Sequence, residues 1–214
     1  ASRLHEHTVH PGGLVLDGSP DVLIGGDSAG IRVGAEGPDA ARECVRAAAT
    51  RAKRSRVQSN GNCGLEASRQ IINRGSNQPV SEALLMRGAI ANGWAEDAPR
   101  PQDKGATNPI GRESLLDAYG VPSKRETPTP AAIGDALSGG KGVITPHDAG
   151  KLWNNEDPGT HAVLVTSARY DANGNIESYF INDTGQGQCW QAVPARQFEG
   201  SLRHNEHGAV SMNV

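Results

Sequence analysis

The sequence predicts an α+β fold in which a helical N-terminal half precedes a C-terminal antiparallel sheet. Apolar residues recur at helical spacing in several segments between residues 37 and 137. From residue 142 onward, short apolar runs rich in β-branched residues replace that pattern. Two of these runs are separated by Asp171-Ala172-Asn173-Gly174-Asn175, and Asn-Gly is typical of a tight hairpin turn. Because a hairpin joins antiparallel strands, this turn indicates the type of sheet.

The individual elements follow in order along the chain. Residues 1–34 contain short apolar runs between Gly, Pro and Asp, which predict small strands in tight hairpins. Residues 35–56 predict a connector helix with proline in its first turn. Within residues 57–214 we predict helices over 64–74, 80–91, 112–119 and 129–137, then strands over 142–145, 160–168, 176–182, 188–193 and 209–212. The chain therefore divides into a β-rich segment, a connector and one larger domain.

Charge and cysteine content narrow the functional classes. The 214 residues carry 21 Lys+Arg against 24 Asp+Glu, a net charge of −3, which gives no indication of a nucleic-acid or anionic-membrane partner. Cys44, Cys63 and Cys189 lack the spacing of a zinc site and predict free thiols in a reducing cytosol rather than a disulfide framework. The chain opens at Ala1 in the middle of a pattern, and we expect it to be part of a longer protein.

Cys63 is the first candidate for chemistry, because it lies where a helix is predicted to begin. Unpaired backbone N–H groups and the positive end of the helix dipole favour a thiolate there. Gln58, five residues earlier, could donate its amide N–H to a developing oxyanion, with the Cys63 N–H as second donor. The alternative is that Cys63 is only a small buried residue at a helix start.

Two further candidates lie in the predicted sheet. His161 opens a strand, and Asn182-Asp183 ends the strand expected to pair with it. Strand alternation places these last two side chains on opposite faces, so only one can orient His161. We favour Asp183, since a carboxylate stabilises a thiolate–imidazolium pair better than an amide does, and keep Asn182 as the alternative. Taken alone, the histidine could be structural and Asn182-Asp183 a strand-ending turn.

Gln58, Asn62-Cys63-Gly64, His161-Ala162-Val163 and Asn182-Asp183-Thr184-Gly185 together resemble papain-like cysteine peptidases over residues 57–214. The segment Asn182-Asp183-Thr184-Gly185 is most similar to the bacterial branch that removes double-glycine leaders from bacteriocins. The resemblance implies Cys63 as nucleophile, His161 as base, Asp183 or Asn182 as orienting residue and Gln58 as oxyanion donor. It implies no metal and no cofactor, and it suggests cleavage after Gly-Gly. The family usually separates its glutamine and cysteine by six positions rather than five.

A second resemblance concerns the N-terminal segment. Gly18-Ser19-Pro20-Asp21-Val22-Leu23-Ile24-Gly25-Gly26 resembles the closing hairpins of PAAR-type proteins, which cap the spike of type VI secretion systems and often carry toxin domains. His5, His7 and His10 could be a remnant of their zinc site, but no cysteine is near, and we favour the alternative of a solvated, frayed terminus without a metal. The resemblance implies a toxin effector that is carried on a secretion spike into a competing bacterium. It would cleave a protein in that cell's cytoplasm, and an immunity protein would neutralise it.

Two other functions use the same residues. A Cys-His-Asp site can also deamidate or cross-link a glutamine side chain, and a domain with an inactive triad could serve as a binding module. We also expect the segment from Thr145 to Trp153 to form one wall of a substrate cleft, with His147 and Asp148 near the substrate and Trp153 partly buried. The alternative for this segment is an ordinary connector.

Overall fold

The computed structural model describes residues 61–74, 76, 78–156 and 159–203, and the backbone of 210–213. The β-rich segment predicted over residues 1–34, the connector over 35–56 and Gln58 lie outside these residues. The division of the chain at residues 34 and 56 therefore stays a prediction.

The centre of the fold is a six-stranded sheet in which every neighbouring pair is antiparallel. Its strands in chain order are β1 Ser123–Glu126, β2 Gly142–Asp148, β3 Thr160–Tyr170, β4 Ile176–Asp183, β5 Gln188–Pro194 and β6 Val210–Asn213. Their order across the sheet is β1-β6-β2-β3-β4-β5. The Asn173-Gly174 turn joins β3 to β4 as predicted, with Gly174 at a φ of 85° that favours glycine.

Alternation along the central strands separates the core into two clusters, one on each face of the sheet. On β2 and β3, the side chains of Val143, Val163 and Val165 belong to one cluster, whereas those of Ile144 and Leu164 belong to the other. All five are fully buried. A sheet buried on both faces needs helices on both, and the chain provides them in two groups.

The first group covers the face of Ile144 and Leu164. It consists of α1 Cys63–Arg74, α2 Glu82–Ala91 and α3 Pro109–Ala118. Local sequence sets where these helices begin: Ser81 caps α2 by accepting from Leu84 N–H, and Asn108 caps α3 ahead of Pro109. The apolar face predicted for α1 is buried, including Leu65 and Ile71.

The second group covers the other face with α4 Pro130–Ser138, α5 Ala149–Trp153 and α6 Ala195–Ser201. Thr129 caps α4 at its start, and Gly139 is the C-cap at its end. Among the described helices, none combines the length and hydrophobicity needed to cross a membrane.

The predicted α+β arrangement of helices and an antiparallel sheet is confirmed at this level. Three elements were not predicted: β1, α5 and α6. The segment from Thr145 to Trp153 was predicted as the wall of a cleft or a connector. It forms the end of β2 followed by α5, because β2 continues pairing with β3 as far as Asp148 and Thr160, and its role as a cleft wall stays a prediction.

Candidate active site

The site begins with Cys63, the first residue of α1. The first helical hydrogen bond joins Glu66 N–H to Asn62 O at 2.9 Å, so the thiol stands at the N-terminal end of the helix, as predicted. The chain packs tightly here: a Cβ added at Gly64 would collide with Thr107 Oγ1. Glycine is therefore needed directly after Cys63 for this packing.

The thiol of Cys63 meets the start of β3. The backbone N–H of Ala162 donates to Cys63 Sγ at 3.3 Å, and the side chain of His161 hydrogen-bonds to the same sulfur. Burial raises the pKa of Cys63, but the hydrogen bond and charge of His161, the Ala162 N–H and the charge of Arg112 lower it further than burial raises it. The net shift of the Cys63 pKa is downward, in favour of the thiolate.

His161 bridges Cys63 and Asp183. Its Nε2 lies 2.7 Å from Asp183 Oδ1, which leaves the other ring nitrogen for the sulfur. The Asp183 side chain is fully buried, and its Oδ1 also accepts from the backbone N–H groups of Gly185 and Gln186. Burial lowers the pKa of His161, but the bonds to Asp183 and Cys63 and their charges raise it to about 10. The arrangement therefore favours a thiolate–imidazolium pair.

Asn182, the alternative orienting residue, points away from His161. Its Nδ2 donates to Gln70 Oε1 on α1 at 2.8 Å, and its Oδ1 accepts from Trp190 N–H at 2.9 Å. The register pairs Leu164 with Asn182. Continued by one position, that register places Asp183 opposite Val163, two positions from His161 on the same face of the sheet. The structure thus brings Asp183, and not Asn182, to the imidazole.

The candidate cleft residues have contacts of their own. His147 is fully buried between Thr145 Oγ1 at 2.8 Å and Ser201 Oγ at 2.7 Å. Burial, and then the charge of His161, lower the pKa of His147 to about 3, so its ring is neutral. Asp148 caps α5 by accepting from Lys151 N–H, and the half-buried Trp153 packs on the α4–α6 side of the core. Their described contacts are structural, and a role in substrate binding stays a prediction.

The prediction that the cysteines carry free thiols is confirmed only in part. Cys63 carries a free thiol, but Cys189 is disulfide-bonded, so the expectation of free thiols alone was wrong. Among the described residues, no group of three or more His, Cys, Asp or Glu side chains could hold a metal ion. The histidines His5, His7 and His10 and the cysteine Cys44 lie outside those residues, as does Gln58.

Sequence reasoning missed two side chains near the site. Gln70, on α1, holds Asn182 in place, and Arg112, on α3, lies against Gly64. Arg112 stands at the start of a predicted helix, and no local pattern distinguishes it from a surface arginine. For Gln70, the available signal was its polar side chain among apolar residues of α1.

Comparison with known proteins adds little to this geometry. No protein-family model matches the sequence, and no curated protein matches it. Among solved structures, one similar chain is from Bacillus anthracis and is described provisionally as a C39-like peptidase. The likeness has a TM-score of 0.49 at 15% sequence identity and covers 72% of this chain and 88% of that one. A likeness of this extent gives no residue of this chain a role.

The lowered pKa of Cys63 leads to a direct prediction. At pH 6, iodoacetamide should alkylate Cys63 in the folded protein at least about tenfold faster than in the urea-unfolded chain, because the thiolate is the reacting form. Mass spectrometry of the Cys63 peptide measures the rate, and Cys63→Ser provides the blank. A folded protein whose Cys63 reacts only above pH 8 would indicate an inert thiol and favour the binding-module alternative.

Proposed function

We propose that this protein is a cysteine peptidase with Cys63 as nucleophile, His161 as general base and acid, and Asp183 as orienting residue. One observation carries the proposal: a single imidazole lies between a thiol at a helix N-terminus and a buried carboxylate. A nucleophile, a base in contact with it and a third group that orients the base form the set needed for acyl transfer.

The reaction follows from these positions. The Cys63 thiolate attacks the carbonyl carbon of a peptide bond, forming the S–C bond, while the carbonyl oxygen takes the negative charge. The His161 imidazolium then gives its proton to the leaving amine as the C–N bond breaks, which leaves an acyl-thioester. Water attacks this thioester, His161 accepts the proton from the water, and the S–C bond breaks to regenerate the thiolate.

Two donors are proposed for the oxyanion. The backbone N–H of Cys63 is at the N-terminus of α1, where no helical carbonyl is available to it. Gln58 is the second donor in the papain-like pattern, and it lies outside the described residues. No metal or cofactor has a step in this scheme.

We further propose that the enzyme is a bacterial toxin effector. Support for this comes from residues 18–26 and their resemblance to PAAR-type spike proteins, together with the peptidase-like site behind them. The partners would be a secretion spike, an immunity protein and a protein substrate in the cytoplasm of the target cell. Cleavage after small residues such as Gly-Gly is proposed from the resemblance to the double-glycine branch.

Protein termini in expressing cells test the proposed activity. Cells that produce the wild type should gain new N-termini in a small set of cytosolic proteins, whereas cells that produce Cys63→Ala should not. N-terminal labelling followed by mass spectrometry provides the comparison. If the wild type instead converts glutamine to glutamate in an intact target, the enzyme is a deamidase. No difference between the two strains would contradict both activities.

A further inference from the structure

Arg112 is a buried cation whose guanidinium is only partly satisfied. The residue is 3% exposed, and its Nη1 donates to Thr107 O at 3.1 Å and to Thr107 Oγ1 at 3.4 Å. Its Nε and Nη2 are also buried and have no hydrogen-bond partner in the described part of the chain. A buried charge left without compensation is costly, so its location calls for an explanation.

The guanidinium of Arg112 packs against Gly64, the residue that follows the nucleophile Cys63. A Cβ added at Gly64 would lie 3.2 Å from Arg112 Cδ and 3.3 Å from Nη1. Gly64 is bonded to Cys63, so α3 brings the arginine against the first turn of α1. Its positive charge therefore adds to the positive end of that helix.

The carboxylates on the neighbouring elements are engaged elsewhere. Glu66 on α1 forms an ion pair with Arg69 at 2.8 Å, and Glu82 on α2 accepts from Asn62. Glu113, next to Arg112 on α3, pairs with Arg125 at 2.6 Å. Among the described residues, no carboxylate forms an ion pair with Arg112. His161, which approaches from β3, is itself a cation when it pairs with the thiolate.

We propose that Arg112 is an electrostatic positioning residue for Cys63: its buried guanidinium stabilises the thiolate, and the thiolate is its compensating anion. The charge of each group affects the pKa of the other. Burial lowers the pKa of Arg112 to about 10, and the charge of Cys63 opposes that shift. For Cys63, burial raises the pKa, and Arg112 adds to the lowering that begins with His161 and Ala162.

This inference deepens the proposed function, because it concerns the same nucleophile. Its test requires no substrate, so it can fail while the peptidase proposal stands. It can also hold if the domain proves to modify glutamine or to bind without catalysis.

The experiment is the pH profile of Cys63 alkylation by iodoacetamide in three variants. Arg112→Met removes the charge and keeps an unbranched side chain. It should raise the inflection of the profile, the pH at which the alkylation rate is half-maximal, by at least about one pH unit. Arg112→Lys keeps the charge and should stay near the wild type. Arg169→Met is the matched control, because this half-buried arginine on β3 stacks on Phe180. It is eight positions from His161 (169 minus 161), roughly 26 Å along a strand, and should shift nothing.

Circular dichroism and thermal unfolding establish which variants are folded. A folded Arg112→Met whose inflection matches the wild type would overturn the proposal. If that variant does not fold, Arg112→Lys decides: an inflection near the wild type supports the charge, and a rise to that of an ordinary thiol overturns it. Loss of folding in both variants would assign Arg112 a structural role and would also overturn the proposal.

Discussion

Cys63→Ala and His161→Ala are each expected to reduce peptidase activity by about 10⁴-fold or more, because each removes a member of a unit that acts together. Cys63→Ala removes the attacking sulfur. His161→Ala removes the group that holds the thiol as thiolate and protonates the leaving amine. Under the proposed toxin role, both variants should also lose growth inhibition when they are expressed in a bacterial cytosol.

The fold must be shown to survive in these two variants. Cys63→Ala replaces a half-buried side chain at a helix start, so its unfolding temperature should be close to that of the wild type. His161→Ala leaves the fully buried Asp183 with only its backbone donors and should be less stable. Thermal unfolding and far-ultraviolet circular dichroism measure this. A folded variant of either kind that still inhibits growth would contradict the assignment of the nucleophile or the base.

Asp183→Ala is expected to lower activity by about 10²–10⁴-fold, because His161 loses both its orientation and the charge that stabilises its imidazolium. Asn182→Ala is the matched control on the neighbouring position. It removes two hydrogen bonds and leaves the buried Gln70 without that partner, so the expected loss is in stability, about 1–3 kcal/mol. Its activity per folded molecule should be much closer to the wild type.

The pH dependence of activity in Asp183→Asn separates the effect of the Asp183 charge from the effect of its shape. Asp183 raises the pKa of His161, so removing the charge should lower that pKa toward its ordinary value of 6.5. The imidazolium is the proton donor, and activity declines as pH rises through this pKa. The alkaline limb, expected near pH 10 in the wild type, should therefore move to lower pH. An unchanged limb, or an Asn182→Ala variant as inactive as Asp183→Ala, would contradict the role of Asp183.

Local patterns predicted much of what positions the site. The apolar periodicity after Cys63 predicted α1, and the Asn173-Gly174 turn predicted that β3 and β4 pair as a hairpin. The helices predicted over 80–91 and 129–137 correspond to α2 and α4. These signals are readable because caps, turns and one-sided periodicity act over a few residues.

Prediction was less successful where two distant segments meet. The run from Thr145 to Trp153 was predicted as a cleft wall or a connector and not as a strand, although pairing with β3 holds its first half as one. The short strand β1 has no apolar pattern in Ser123–Glu126 and is held by pairing with β6. In both cases tertiary pairing outweighed local preference.

By itself, then, the sequence determined that Cys63 begins a helix, that His161 begins a strand and that Asn182 and Asp183 end the adjacent strand. Only the tertiary structure decided which of those two side chains faces His161, because a shift of one residue in strand register exchanges the faces. It also decided that Arg112 lies against Gly64, 48 positions earlier in the chain (112 minus 64). That contact depends on how α3 packs on α1, and helix packing leaves no mark in the sequence around a single arginine.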